Sequence, residues 1–170
     1  MGTGFEQTAD GAAGKLVAIT TEKGNMPYMV NGRGDYLPRA TAKALDILTA
    51  NSAAKPAGQK GFFMMVEGSL IDYCAHDNDA ASTVEETRDF DKAVGVAFDY
   101  ADKHPGTLVV VLADHETGGL TLPSYDEDFE ESDSGVQYKW STGGHSGSLI
   151  GLYAYGTGAL EFTGVLDNTY

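Results

Sequence analysis

The sequence predicts an α/β fold, a three-layer αβα sandwich with helices on both faces of a sheet. Three observations carry that expectation. Short β-branched runs alternate with longer stretches whose apolar residues recur at three-to-four spacing. The chain has 170 residues, enough for one domain with a sizeable core. Two of the apolar runs end in clusters of acids and histidines, and open α/β sheets keep their sites at the carboxyl ends of strands.

Residues 1–14, MGTGFEQTADGAAG, lack the charged and apolar regions of a signal peptide and read as a flexible start. Residues 15–170 read as one unit. KLVAIT (Lys15–Thr20) is expected to be a short buried strand, followed by a loop rich in turn signals, TEKGNMPYMVNGRGDY. Pro38 opens an expected helix, PRATAKALDILTAN, with Ala42, Leu45 and Leu48 on one face. GFFMMVEG is expected to be a second buried strand. From Ser82 a long helix is expected, with a stripe of Val84, Thr87, Phe90, Val94, Ala97 and Ala101. Ser82 with Glu85 makes a capping-box start, and Lys103, His104 and Pro105-Gly106 mark the stop. TLVVVLADHETGG is a third strand, the acidic run Tyr125–Gly135 a solvated loop, and SLIGLYAYG a further strand.

The formal net charge is −14 and the isoelectric point about 4.4. Such a surface repels phosphate backbones, which argues against nucleic acid as a partner. It attracts cations instead. No apolar run approaches membrane-spanning length. Cys74 is the only cysteine, which excludes an internal disulfide and a thiolate zinc cage.

The chemistry concentrates in three places. Glu67 stands at the end of GFFMMVEG, and Asp72 and His76 follow, four residues apart and therefore on one face of a helical turn. Asp114-His115 ends the third strand. His145 sits between glycines in GGHSG, where the backbone bends freely. Imidazole nitrogen and carboxylate oxygen are the ligands zinc takes when thiolates are absent. Each cluster alone is as readily a surface group or a helix cap; together they point to metal. Asp77, Asn78 and Asp79 read as caps of the next helix. Glu116 and Thr117 read equally as turn residues or as groups orienting His115. His104 reads as a partner of a helix dipole, and Cys74 as a small buried apolar group.

MVEGSLIDYCAHDND, TLVVVLADHETGG, GGHSG and YAYGTGALEFTGVLDNT resemble, in order, the C-terminal motifs of the alkaline phosphatase family, and KGNMPY followed by ATAKALDIL is similar too. The resemblance covers nearly the whole chain from Lys15. It implies that residues 15–170 are the C-terminal portion of a catalytic domain. It also implies that Asp72, His76 and His145 hold one zinc, that Asp114 and His115 supply ligands to a second, and that Glu67 binds magnesium. The activity it implies is hydrolysis of small phosphate monoesters through a phosphoserine intermediate. In some family members a basic residue follows the first zinc aspartate; here that place is Tyr73.

The family's nucleophile lies in an Asp-Ser-Ala type motif, which does not occur in this sequence, so no catalytic serine is assigned here. Its metal-bridging N-terminal aspartate and phosphate-gripping arginine have no matching position either; Arg33, Arg39 and Arg88 lie in other contexts. The isolated chain is therefore expected to turn over little or no substrate. The alternatives are a fragment of a related two-metal phosphodiesterase or sulfatase, and a metal-binding module without catalysis. The resemblance also implies a periplasmic or extracellular bacterial protein. Homodimers are common in the family, although no dimer element is evident in this span.

Overall fold

The computed structural model describes residues 16–18, 20–21, 24–123, 130–131, 135–165 and 167. The expected flexible segment 1–14 and most of the acidic run lie outside the described residues. Three helices pack together and against small antiparallel sheets, an α/β architecture as expected.

Helix α1 spans Tyr36–Ala53 and starts from Asp35, ahead of the expected Pro38. Pro38 is tolerated at the third helical position because its missing N–H falls among the first donors, which have no intrahelical partner in any helix. Its buried residues are Thr41, Leu45 and Ile47. Leu45 is thus on the core face, whereas Ala42 and Leu48 flank it, half-buried.

Helix α2 is a short segment, Leu70–His76, that buries Leu70, Cys74 and Ala75. Helix α3, Ala80–Lys103, is the hub of the fold and packs against α1, α2 and the larger sheet. Asp79, one of the expected caps, starts it in place of the Ser82 capping box: the Asp79 carboxylate accepts from the Ser82 N–H at 3.0 Å and from the Ser82 hydroxyl at 2.6 Å. The two hydrogen bonds hold the Asp79 carboxyl below its ordinary pKa of 3.8.

The buried face of α3 also differs from the expected stripe. Ser82, Glu86, Asp89 and Ala93 are buried, while Val84 and Thr87 face solvent. The reason is Arg33, which lies far away in sequence. Its guanidinium donates through Nη2 to Glu86 and, at 3.0 Å, to Asp89. Nη1 donates to the Pro27 carbonyl at 3.2 Å. Glu86 in turn accepts the Met29 N–H at 2.7 Å. An arginine fork satisfies two carboxylates that would otherwise be far too costly to bury. The triad thereby pins residues 27–33 onto α3.

The larger sheet joins β1 (Leu108–Leu112) to β6 (Leu152–Gly156), antiparallel, with Val110 opposite Ala154. Strand β2 (Glu116–Thr117) pairs with β5 (His145–Ser146), and β3 (Glu130–Glu131) with β4 (Gln137–Tyr138), all antiparallel. The β3 pair interrupts the acidic run, which was expected to be loop throughout. Strand β6 occupies only the second half of SLIGLYAYG.

Two expected buried strands are corrected. Leu16–Ala18 take no regular structure, and residues 61–68 belong to no β-ladder among the described residues. Phe63 is 89% exposed and Met65 78%. Phe62 makes an edge contact with the Tyr100 ring, and Met64 and Val66 are partly covered, so one side of the ribbon rests on the protein. A strand needs a neighbour to pair its backbone groups. The described residues offer this segment none.

Candidate metal centre

Two carboxylates and three imidazoles meet where α2, the end of β1 and the β2–β5 pair come together. Asp72 and His76 lie one turn apart on the exposed face of α2, whose opposite face is anchored by Leu70, Cys74 and Ala75. His76 Nε2 is 3.5 Å from Asp72 Oδ1. His145, on β5, brings its Nε2 to 3.8 Å from the same oxygen. Ligand atoms of Asp72, His76 and His145 all lie within 4.8 Å of one another. One carboxylate oxygen and two imidazole nitrogens form a donor set that suits zinc and leaves room for a fourth ligand.

Hydrogen bonds outside the cluster aim these donors. His76 Nδ1 is 2.8 Å from the Gly143 carbonyl. A carbonyl only accepts, so Nδ1 carries a proton, and Nε2, facing Asp72 and His145, is the ring nitrogen left for a metal. The Asn78 amide nitrogen, oriented to satisfy its neighbours, donates to the Ala75 carbonyl at 3.1 Å and the Thr142 carbonyl at 2.9 Å. Asn78 reaches these atoms from a left-handed backbone conformation, φ 54°, that asparagine tolerates better than most residues. Both contacts lash the end of α2 to the loop that carries His145.

Asp114 and His115 follow β1 after one residue, Ala113. His115 Nε2 lies 3.4 Å from Asp114 Oδ2, and its ring stacks on His145 with centroids 3.6 Å apart. The His76 and His145 rings are 5.0 Å apart, so His145 neighbours both other imidazoles. The second pair supplies two donors of a type zinc accepts and sits beside the first three.

Glu67 is set apart from them. It lines a cavity of about 130 Å³ together with Arg33, Tyr36, Ser69 and Glu86. The Glu67 carboxylate offers the hard oxygen that magnesium prefers.

The backbone around these groups is tightly specified. Glu116 accepts the Gly119 N–H at 2.8 Å and the hydroxyl proton of Ser146, which braces β2 against β5. Gly118 is buried at φ +89°, and a Cβ there would lie 2.4 Å from the Trp140 ring and 3.0 Å from the Ala75 carbonyl. Only glycine satisfies both the left-handed conformation and that approach. Cys74 lies between Asp72 and His76 in sequence but points the other way, and burial pushes its thiol up to about 11.

Thr117 is better placed than its sequence suggests. Its hydroxyl donates to Asp72 Oδ1 at 2.6 Å and lies 3.1 Å from His115 Nδ1. Tyr73, next to Asp72 in sequence, is half exposed. Arg33, set aside as a phosphate ligand from its sequence context, is the buried partner of Glu86 and Asp89.

The sequence model of the alkaline phosphatase family matches residues 15–132. Among known proteins, the chain is 37% identical over 146 residues to streptomycin-6-phosphate phosphatase of Streptomyces griseus, covering 78% of this chain and 32% of that one. The solved alkaline phosphatase of the Antarctic bacterium TAB5 superposes with a TM-score of 0.68 at 43% identity, covering 81% of this chain and 38% of that chain. A mutant of the TAB5 enzyme, solved with magnesium bound in its M3 site, superposes with a TM-score of 0.66 at 42% identity, again over 81% of this chain and 39% of that one. The chain thus spans between about a third and two-fifths of the length of these relatives.

Proposed function

The chain belongs to the alkaline phosphatase family, and from that premise we propose that residues 15–170 are the metal-holding C-terminal portion of a phosphomonoesterase catalytic domain. The observation that carries this reading is the convergence of Asp72, His76 and His145 donor atoms within 4.8 Å of one another. In this proposal those three residues hold one zinc, Asp114 and His115 contribute to a second, and Glu67 takes magnesium.

A zinc pair supplies Lewis-acid charge for transfer of a phosphoryl group. The chain's own residues bind and orient. Asp72 and His76 are fixed on a helix whose inner face is buried. The Gly143 carbonyl keeps the His76 proton on Nδ1 and so leaves Nε2 free to bind. His145 and His115 hold each other by stacking. A serine nucleophile in an Asp-Ser-Ala type motif is not among the 170 residues. The chain alone therefore binds metal and hydrolyses phosphate monoesters at no more than a trace rate, because loss of a nucleophile costs many orders of magnitude. The whole protein would act on small phosphate monoesters in the periplasm or outside the cell, a reading supported by family alone. Among the described residues no helix is long and apolar enough to cross a membrane.

The test is zinc per chain after dialysis, measured by elemental analysis for the protein and for His145→Ala, alongside p-nitrophenyl phosphate hydrolysis. About one tightly held zinc, lost in the variant, with hydrolysis at background, is the expected result. Absence of zinc in both would remove the metal reading. Rapid zinc-dependent hydrolysis by the chain alone would remove the claim of inactivity.

A further inference from the structure

We propose that Thr117 is a positioning residue that couples the two halves of the metal centre, fixing the tautomer of His115 and the rotamer of Asp72 through a single hydroxyl. This rests on the metal reading above but goes beyond it, because it assigns a role to a residue that is not itself a ligand.

Proton accounting gives the direction of each bond. The Thr117 hydroxyl has one hydrogen, and it is donated to Asp72 Oδ1 at 2.6 Å. Its oxygen can then only accept from His115 Nδ1, 3.1 Å away. His115 therefore carries a proton on Nδ1, which leaves Nε2, the atom that faces Asp114, as the ring nitrogen available to a metal. The polarised chain runs from imidazole N–H to hydroxyl to carboxylate, each bond strengthening the next. Asp72 receives the hydroxyl on the oxygen that lies nearest His76 and His145, which holds that oxygen at the centre of the cluster.

The backbone makes this placement unavoidable. Thr117 lies directly opposite His145 in the β2–β5 pair, and Glu116 beside it is opposite Ser146, to which it is also bonded through side chains. The register that delivers His145 to the cluster delivers the Thr117 hydroxyl too. Outer partners of metal-binding histidines and carboxylates are worth about 10–100-fold in metal affinity.

The experiment compares the protein with Thr117→Val, which keeps the branched shape without the hydroxyl, and with Thr117→Ser, which restores the hydroxyl. Thr117→Ala serves in place of valine if that variant fails to fold. Two readouts are taken: the tautomer of His115 by long-range proton–nitrogen NMR on metal-free protein, and zinc affinity by competition with a chelator. Valine is expected to abolish the Nδ1–H preference of His115 and to weaken zinc about 10–100-fold; serine is expected to restore both. An unchanged tautomer in the valine variant would overturn the proposal. So would a zinc affinity equal to that of the parent protein. If the parent binds no zinc, the metal reading fails, and the tautomer in metal-free protein still decides whether Thr117 sets His115.

Discussion

The helical part of the chain and its strand part are stabilised in different ways. Every buried side chain among the described residues lies between Arg33 and Ala93. The strand part, from Leu108 onward, buries only Gly118 among the described residues, and several of its large apolar side chains, Leu112 and Tyr153 among them, stay exposed. A helix satisfies its backbone internally and needs one covered stripe, so three helices can make a core from one stretch of sequence. A sheet finishes itself only when each strand has neighbours on both sides and a layer over each face. The candidate metal centre straddles this divide: Asp72 and His76 stand on the packed side, Asp114, His115 and His145 on the thin one. The two sides are joined by the His76–Gly143, Asn78–Thr142 and Thr117–Asp72 contacts.

The contrast is broken most severely by Arg33→Met. It leaves Glu86 and Asp89 buried without their cation, a loss of about 3–5 kcal/mol. Urea unfolding followed by circular dichroism should show the helical signal failing at much lower denaturant than in the parent. A variant of unchanged midpoint would mean that the helical core does not depend on the triad.

A paired truncation sharpens the contrast. Leu45→Ala, in the buried face of α1, is expected to cost about 2–5 kcal/mol. Leu112→Ala, at the exposed end of β1, is expected to change stability by no more than about 0.5 kcal/mol. Equal losses in the same urea titration would show that the sheet carries a core of comparable weight.

The smallest effect belongs to the α3 cap. Asp79→Ala removes the acceptor of the Ser82 N–H and hydroxyl bonds and should cost about 1 kcal/mol at neutral pH. The sign follows from the lowered folded pKa of Asp79. Its stabilisation is complete above the ordinary value of 3.8 and is lost as pH falls through the lower folded value. Unfolding curves of parent and variant should differ at pH 7 and converge at the acid end; a gap that does not vary with pH would remove the cap account.

The grouping of the candidate site was largely legible in the sequence because its residues follow local rules. Asp72 and His76 are one helical turn apart, and Asp114-His115 ends a strand of strong β character. The buried face of α3 was not legible, because a search for apolar periodicity passes over Ser82, Glu86 and Asp89. Their burial depends on an arginine 53 residues before Glu86. Thr117 was half legible: its place two residues after His115 suggested an orienting role, but its bond to Asp72 spans 45 residues. GFFMMV reads as a core strand for sound reasons of composition. It lies open because composition reports what a segment can bury and says nothing of whether the burying partner is at hand.

The inward turn of Cys74 has a consequence for redox chemistry. Thiolate, not thiol, reacts with peroxide and with disulfides, and a sulfur sealed in the core with its pKa near 11 yields almost none at neutral pH. As the sole cysteine of the chain, it leaves two folded copies meeting in an oxidising medium with no group to join them. The protein can be handled without a reducing agent. Thiol reductants are soft metal ligands in their own right, and every zinc measurement described above is cleaner without them.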